Sequence, residues 1–433
     1  MSDRKLSALD SDRVSRGRAR GLVNRQVDET RRIAKNAVSV LAAAFPDAEV
    51  RPVKSGLAEA VRERYGLVEP AVVNDLRHAH EAYLACRVGR FLEERFPLGL
   101  DRIRYEDLER MAAATGGDPR DRGVVADSFG VDGFDPETGE VFRDGWLGSL
   151  EVDRLRSRFA YRGCFVSRKV ERFGGAFWNA TVYSPLEPSP KAIPLKKGLP
   201  TDRYGHYLSR AVAFSTVAEH WEVRRGKRRR AVSFVDVPVD VAYGLRGEED
   251  LEAYLRTVLD EPVVLRASVP KNQLIVWDGA PYYMSSSSEA MNARQLWLPR
   301  RFVDLLAALE ADVSAMEGDE AAAGGLAELA DHLLKAMEER YPRYSRRNGL
   351  CSKLRAALDA SFGGMGVAER LAVVEEMLAL LHCDRRNGLS SIGLSPSAGR
   401  LSGLSLGASI DDIVFVDTSV TGMFERRSTV VRG

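Results

Sequence analysis

Cysteine is scarce in this chain: four residues among 433, at Cys86, Cys164, Cys351 and Cys383. They lie far apart and none forms a Cys-x-x-Cys pair, which speaks against a structural zinc site or a disulfide framework and fits a reducing cytoplasm. An excess of charge of one sign is missing too. Lysine and arginine total 63 against 62 acids, a formal net charge of +1, so bulk charge alone does not point to a nucleic-acid partner. No apolar run is long enough to cross a bilayer, and the opening Met-Ser-Asp-Arg-Lys lacks the apolar core of a secretory signal; the expectation is a cytoplasmic protein with no membrane partner. No internal repeat of fixed period is visible. What is plentiful is apolar substance: 45% of residues are hydrophobic, enough in a chain of this length for at least two buried cores.

The segment up to about residue 23 is rich in Arg, Ser, Asp and Gly without helical periodicity and reads as a linker or a short helix on another body. Ile33, Ala34, Val38, Val40, Leu41 and Ala44 predict a helix over 27–45, and 49–53 has the partial alternation of a strand. Ser55 can cap a helix running to 65, and a longer helix is predicted from about 72 to 96, stopped by Pro97. Residues 116–148 are crowded with Gly, Asp and Pro, with a tight turn at 135–140, and mark a boundary; their aspartates do not have the spacing of a calcium loop. Beyond 150 the pattern changes to strands at 164–170, 181–184, 210–223, 231–237, 263–269, 273–277 and 281–285. Helices follow at 300–316, 321–340, 352–360 and 367–381, then a strand at 413–416. The fold class is α+β.

Asn74, His78 and Glu81 stand at i, i+4 and i+7 of the predicted long helix and so share one face, with Leu76, Tyr83 and Leu84 elsewhere. An imidazole and a carboxylate one turn apart can organise a divalent metal; the plainer alternative is a surface helix with a His–Glu pair. His80 points away from that face and is read as a packing or solvent residue; His206, His220, His332 and His382 have no partner spacing and are read as structural. Basic residues gather at Arg16, Arg18 and Arg20, at Lys196 and Lys197, and from Lys227 to Arg230. Each run taken singly is also what a solvated loop looks like.

The segment Asn24-Arg-Gln-Val-Asp-Glu-Thr-Arg-Arg-Ile-Ala-Lys-Asn, followed by Val73-Asn-Asp-Leu-Arg-His-Ala-His-Glu-Ala-Tyr-Leu, resembles the third RuvC segment of the type II CRISPR effectors, the RNA-guided DNA endonucleases (Cas nine). The resemblance continues in order through Glu137-Thr-Gly-Glu-Val, the Gly174-Gly175 turn, Val269-Pro-Lys-Asn-Gln-Leu, Leu298-Pro-Arg-Arg-Phe-Val and Ser419-Val-Thr-Gly-Met-Phe-Glu-Arg-Arg, covering essentially the whole chain. It implies a linker over 1–22 following an absent HNH domain, a third RuvC segment of RNase H-like α/β fold over 23–148, and over 149–433 a PAM-interacting C-terminal domain of mixed β-sheet and helices.

In that family the RuvC domain cuts the displaced non-target DNA strand with two divalent metals, Mg2+ or Mn2+. His78 matches the family's histidine, a general base or an aid to the metal, and Glu81 stands where the family has aspartate. The extra methylene matters because magnesium demands near-ideal geometry at short range. The family's other two metal carboxylates come from segments that precede this one, as do its HNH motif, bridge helix and guide-binding lobe. The resemblance therefore implies a polypeptide that does not cut alone and works with an N-terminal half of the same effector; the alternative is a catalytically inactive nucleic-acid-binding remnant.

The resemblance also implies a guide RNA partner, crRNA with tracrRNA, and a target double-stranded DNA whose short PAM is read by the protein itself. Arg400 is the first candidate for reading a base edge and Ser402 the second, since arginine on guanine is the commonest such pairing. The turn 174–181 resembles the loop that grips a phosphate beside the PAM, through amides at Gly174 and Gly175 and the side chains of Asn179 or Thr181. Lys196, Lys197, Lys227, Arg228, Arg229, Arg230 and Lys271 would meet phosphates of guide RNA or DNA. Phe177 and Trp178 stack on a base or, as adjacent aromatics in a β domain more simply do, pack in a core.

Overall fold

The computed structural model describes residues 32–48, 50, 53, 55–67, 73–95, 123–132, 146–159, 168–176, 178–186, 189–195, 198–382, 388–419 and 422–430. The chain divides into two compact units, one formed by Met1–Val68 with Arg77–Arg162 and the other by Glu69–Leu76 with Gly163–Gly433.

Among its described residues the first unit is helical: α1 (32–44), α2 (Ser55–Arg64), α3 (Leu76–Arg95), α4 (Gly123–Phe129) and α5 (Gly148–Phe159). Leu84, Val88, Phe91 and Leu92 form the i, i+4, i+7, i+8 stripe that α3 buries, against Val61 of α2, Phe129, Trp146 and Leu155. The rings of Phe91, Phe129 and Trp146 meet edge-on or tilted at 5.1 to 5.4 Å, a favoured arrangement for aromatic quadrupoles. The Trp146 indole N–H donates to the Phe129 carbonyl at 2.8 Å. Gly148 is required next to it, because a Cβ there would lie 2.5 Å from the Phe129 carbonyl oxygen. Glu151 is buried, held by Arg87 and Arg154.

The long helix starts at Leu76, later than its apolar pattern predicts. Asn74 is the reason: its side-chain oxygen accepts from the Leu76 amide at 2.9 Å, and its side-chain amide donates to the Leu296 carbonyl at 2.7 Å. It is therefore a buried residue ahead of the helix, and it does not share a helical face with His78 and Glu81. The predicted turn at 135–140 lies outside the described residues; of 49–53, residues 50 and 53 are described and neither is in a strand.

The second unit holds two main sheets. Strands β3 (Val212–Arg224), β4 (Lys227–Pro238) and β5 (Asp260–Pro270) form an antiparallel sheet ordered β4-β3-β5. Strands β6 (Leu274–Trp277), β7 (Ala280–Ser286), β8 (Glu289–Asn292), β9 (Ile413–Thr418) and β10 (Glu425–Ser428) form the other, in the order β10-β9-β6-β7-β8. A short ladder of β1 (Ile193–Pro194) on β2 (His206–Tyr207) precedes them. Two hairpins close through residue pairs with positive φ at both positions, Arg225-Gly226 (52° and 75°) and Asp278-Gly279 (56° and 73°), the backbone that matches strand twist.

Helices α6 (Thr201–Tyr204), α7 (Val239–Ala242) and α8 (Glu248–Leu255) precede or interrupt the strands; α7 and α8 bury Val239, Leu251 and Leu255 with Ala213, Ala218 and Val237 of the three-stranded sheet. Between β8 and β9 comes a helical block: α9 (Arg300–Asp312), α10 (Glu320–Arg340), α11 (Pro342–Arg346), α12 (Leu350–Ser361) and α13 (Val367–Leu381). It shares one core with the five-stranded sheet, in which Ile275, Trp277, Tyr282 and Phe415 meet Leu329, Leu333, Val374 and Met377.

The architecture is mixed α+β, as expected. Three strand expectations changed. The strand expected at 231–237 starts earlier, at the basic run, as β4; 181–184 is reduced to a bridge from Tyr183 to His206; and β1, β2, β8 and β10 were not anticipated. Of 164–170 only the last three residues are described, and they are irregular. Ile275 is fully buried on the central strand, so Ile275→Ala is expected to destabilise this unit by about 2–5 kcal/mol in urea unfolding; a loss within experimental error would show that the site relaxes to fill the cavity.

Candidate nuclease pair and nucleic-acid interface

On α3 the His78 Nδ1 lies 3.9 Å from the Glu81 Oε2, and both side chains are exposed. The other Glu81 oxygen faces Arg62 of α2, whose Nη1 is 3.4 Å away and whose second nitrogen lies 3.7 Å from Glu59. Among the described residues no group of three or more His, Cys, Asp or Glu side chains is placed to hold a metal. One imidazole, one carboxylate and a guanidinium do not make the six-oxygen environment that magnesium prefers; the pair as it stands does not fit the ion alone. His80 is buried and stacks on Phe159 at 4.3 Å, which selects packing from the packing or solvent role its position left open.

In the second unit the turn 174–181 is anchored at both sides. Ahead of it, Glu171 bridges to Lys271: its amide donates to the Lys271 carbonyl at 2.9 Å. The Lys271 ammonium reaches one Glu171 oxygen at 2.8 Å and the Asn272 amide the other at 3.0 Å. Within and beside the turn, Trp178 and Phe173 pack against the core of the three-stranded sheet. After it, Tyr183 and His206 exchange backbone hydrogen bonds at 2.8 and 3.2 Å. Between these anchors Gly174, Asn179 and Thr181 are exposed, and Asn179 takes a positive φ of 53°. Phe177, Lys196 and Lys197 lie outside the described residues.

The basic run projects from β4 beside acids of its own unit. The Arg228 Nη2 is 3.0 Å from Asp260 and 3.1 Å from Glu261, the Arg229 Nε is 2.7 Å from Glu222, and the Arg230 Nη1 is 2.7 Å from Glu219. Arg228 and Arg230 also flank the Trp221 ring at 4.7 and 5.1 Å, within cation–π range. The Arg229 hydrogen bond holds the Glu222 carboxyl below the usual carboxylate range. Lys227 is exposed.

The base-reading candidates fall where the 388–412 segment crosses the sheets. Leu401 bridges to Ala290 of β8, the Ser402 carbonyl accepts from Arg347 at 2.6 Å, and the Arg400 Nε is buried with no hydrogen-bond partner among the described residues. Two residues beyond Ser402, Leu404 to Ala408 form one wall of a cleft of about 620 Å³ whose other wall is the β3–β4 hairpin, with Arg224 of β3 and Arg229 and Arg230 of β4. The structure thus brings the basic strand and the 400–408 segment to one region. A second cleft of about 690 Å³ contains Arg172, Arg266, Gln273 and Arg426. Sequence reading missed these; the run Glu425-Arg426-Arg427 was a visible signal, whereas isolated Arg266 gave none.

Residues 174–426 match the family model for the PAM-interacting domain of CRISPR-associated endonuclease Cas9. The chain belongs to that family. It is similar to the Cas9 of Listeria innocua serovar 6a, 27% identical over 302 residues covering 66% of this chain and 22% of the relative. It is also similar to the Cas9 of Streptococcus mutans serotype c, 25% identical over 314 residues covering 66% of this chain and 23% of the relative. The chain spans less than a quarter of the length of these curated Cas9 relatives, and it corresponds to a C-terminal Cas9 portion that includes the PAM-interacting domain. The 174–181 turn, β4 and Arg400 all fall inside the matched domain, while His78 and Glu81 lie outside it. No helix among the described residues is long and apolar enough to cross a membrane.

Partial burial raises the Glu171 carboxyl pKa, but the Lys271 hydrogen bond and charge outweigh it, with Asn272 assisting, and the net shift is downward. A carboxylate with a depressed folded pKa stabilises the fold above its unfolded pKa of about 4.3 and loses that contribution as pH falls through the folded value. Thermal unfolding followed from neutral to acid pH should therefore show a stability loss below that range that Glu171→Gln lacks. Identical pH profiles for the two proteins would remove Glu171 from the account.

Proposed function

We propose that this chain supplies the PAM-reading part, and a portion of the non-target-strand nuclease, of an RNA-guided DNA endonuclease of CRISPR adaptive immunity acting in the cytoplasm. The observation that carries the reading is the Cas9 domain match over 174–426, which falls on the unit where β4 and residues 404–408 line one arginine-rich cleft. Target double-stranded DNA and a guide RNA of crRNA with tracrRNA are the partners. Arg400 and Ser402 read base edges, the amides of Gly174 and Gly175 with Asn179 and Thr181 hold a phosphate, and Lys227 to Arg230, with Lys196 and Lys197, contribute salt-dependent backbone affinity. Because the arginines of β4 are already paired with carboxylates, phosphates would have to replace Glu219, Glu222, Asp260 and Glu261 as their partners.

Residues 23–148 are proposed as the third RuvC segment of an RNase H-like domain, with 149–433 as the PAM-interacting domain. His78 and Glu81 would contribute two donors to a Mg2+ or Mn2+ site whose remaining ligands come from an N-terminal half of the same effector. Support comes from α1 and the residue after it, whose Ile33, Val40 and Phe45 are more than half exposed, as expected of a helix whose apolar side is covered by further chain. Reconstitution with that half and a guide should give metal-dependent cutting of the displaced strand, and His78→Ala should lower its rate about 10²–10⁴-fold while PAM-dependent binding is retained. Undiminished cutting in His78→Ala would sink the proposal.

The alternative, a catalytically inactive nucleic-acid-binding remnant, is favoured by one observation: Glu81 is held by Arg62 and is a methylene longer than aspartate. It predicts guide- or PAM-dependent binding with a steep salt slope and no cleavage under complementation. Cutting that appears in Glu81→Asp, but not in the parent chain, would show a site intact except for its reach.

A further inference from the structure

We propose that Glu171, Lys271 and Asn272 form a charge-neutral latch that positions the 174–181 turn, with Lys271 acting as the counter-ion of Glu171 and not as a phosphate contact. The inference rests on the reading of that turn as a seat for a backbone phosphate. It assigns Lys271 a role different from that of the basic residues on β4, and it makes Glu171 and Asn272 positioning residues.

The two oxygens of Glu171 are engaged separately, one by the Lys271 ammonium and one by the Asn272 side-chain amide, so the carboxylate is fixed in rotation as well as in place. Asn272 is itself immobile: it is buried, its φ is +63°, and its backbone amide donates to the Met284 carbonyl of β7 at 2.8 Å. A left-handed residue at this point suits asparagine, one of the few side chains that adopt that backbone readily. The Asn272 side-chain amide also donates to the Lys169 carbonyl at 3.4 Å, and the Arg168 backbone amide donates to the Tyr283 hydroxyl at 3.0 Å. Residues 168–171 form no named strand; a single backbone bridge from Glu171 to Lys271 and these side-chain bonds attach them to the sheet. Three residues later the turn begins.

The electrostatics point the same way. An uncompensated carboxylate three residues before Gly174 would oppose a phosphate on the turn, and a lysine that left Glu171 to bind DNA would create that opposition. With Lys271 in place the latch contributes no net charge, and the turn, exposed at Gly174, Asn179 and Thr181, meets no opposing field from it. Preorganising a binding loop in this way raises affinity by removing the ordering cost from the binding step.

The test uses the full chain, a short random-sequence DNA duplex titrated by fluorescence anisotropy over a range of salt concentrations, and hydrogen exchange of 172–181 without DNA. Lys271→Met and Glu171→Gln should each speed exchange across the turn, and Lys271→Met, which leaves the carboxylate uncompensated, should weaken duplex binding about tenfold. The slope of log affinity against log salt should be unchanged. Glu171→Lys combined with Lys271→Glu should restore both protection and affinity. The latch is overturned if Lys271→Met lowers the salt slope by about 0.9, the signature of one lost phosphate contact, while exchange stays the same. It is equally overturned if the charge-swapped chain, folded by circular dichroism, recovers neither property. A turn whose protection follows the latch variants in a chain with no duplex affinity would support the latch and refute the phosphate reading of the turn.

Discussion

The arrangement of the second unit depends on one long-range ladder, the antiparallel pairing of β9 with β6 in the register Leu274 to Val416 and Trp277 to Ile413. Residues distant in sequence pay a closure entropy before any contact rewards them. Here the burden is offset twice. The pairing buries Ile275, Ile413 and Phe415 completely, and the intervening chain is largely a helical block that packs on the same core. Once β9 is fixed, the chain before it must cross β8 and β4. Leu401 bridges to Ala290, and Gly407 lies so close to β4 that a Cβ would fall 1.8 Å from the Val232 carbonyl oxygen. The position of Arg400 and the wall formed by 404–408 thus follow from a pairing made well away from either.

Charge is arranged on the same scaffold. A net charge of +1 coexists with a strand that begins Lys-Arg-Arg-Arg because acids lie within reach of its arginines: Glu222 stands opposite Arg229 in the β3–β4 register, Glu219 reaches Arg230, and Asp260 and Glu261 reach Arg228. Exposed pairs of this kind contribute little to stability. Their effect is to hold guanidinium groups at fixed positions and to moderate the field that they project. A polyanion that competed for them would gain the arginines but leave carboxylates behind, so on the proposed reading a partner whose phosphates fall in register with the arginines would be favoured over an arbitrary polyanion.

Much of the fold is legible in the sequence where local and global preferences agree. Helix α13 runs from Val367 to Leu381 as its apolar run predicts, and the hairpin turns announce themselves through Gly226 and Gly279. Strand β8 is hidden because Glu-Ala-Met-Asn has no strand propensity of its own and is recruited by pairing with β7. Strand β10, Glu-Arg-Arg-Ser, is hidden because an edge strand can be wholly polar. Asn74 escaped for another reason: its spacing from His78 and Glu81 is helical, yet its side chain satisfies the Leu76 amide and the Leu296 carbonyl. Spacing carries no information about a hydrogen-bond partner more than two hundred residues away.

His78 and Glu81 show the same limit from the other side. Their spacing was legible, and the structure keeps them on one face of α3, but Arg62 comes from a different helix and no periodicity announces it. Its presence changes what the pair can do. A carboxylate facing a guanidinium is a poor metal donor, because a cation that binds it must displace one positive charge and tolerate the nearby remainder. Additional anionic ligands would reverse that balance by raising the attraction for a divalent ion and offering Arg62 other partners. The chemistry of this face is therefore conditional on groups that α2 and α3 do not provide, which makes the local environment of Glu81, more than the identity of His78, the variable that separates a nuclease portion from a binding remnant.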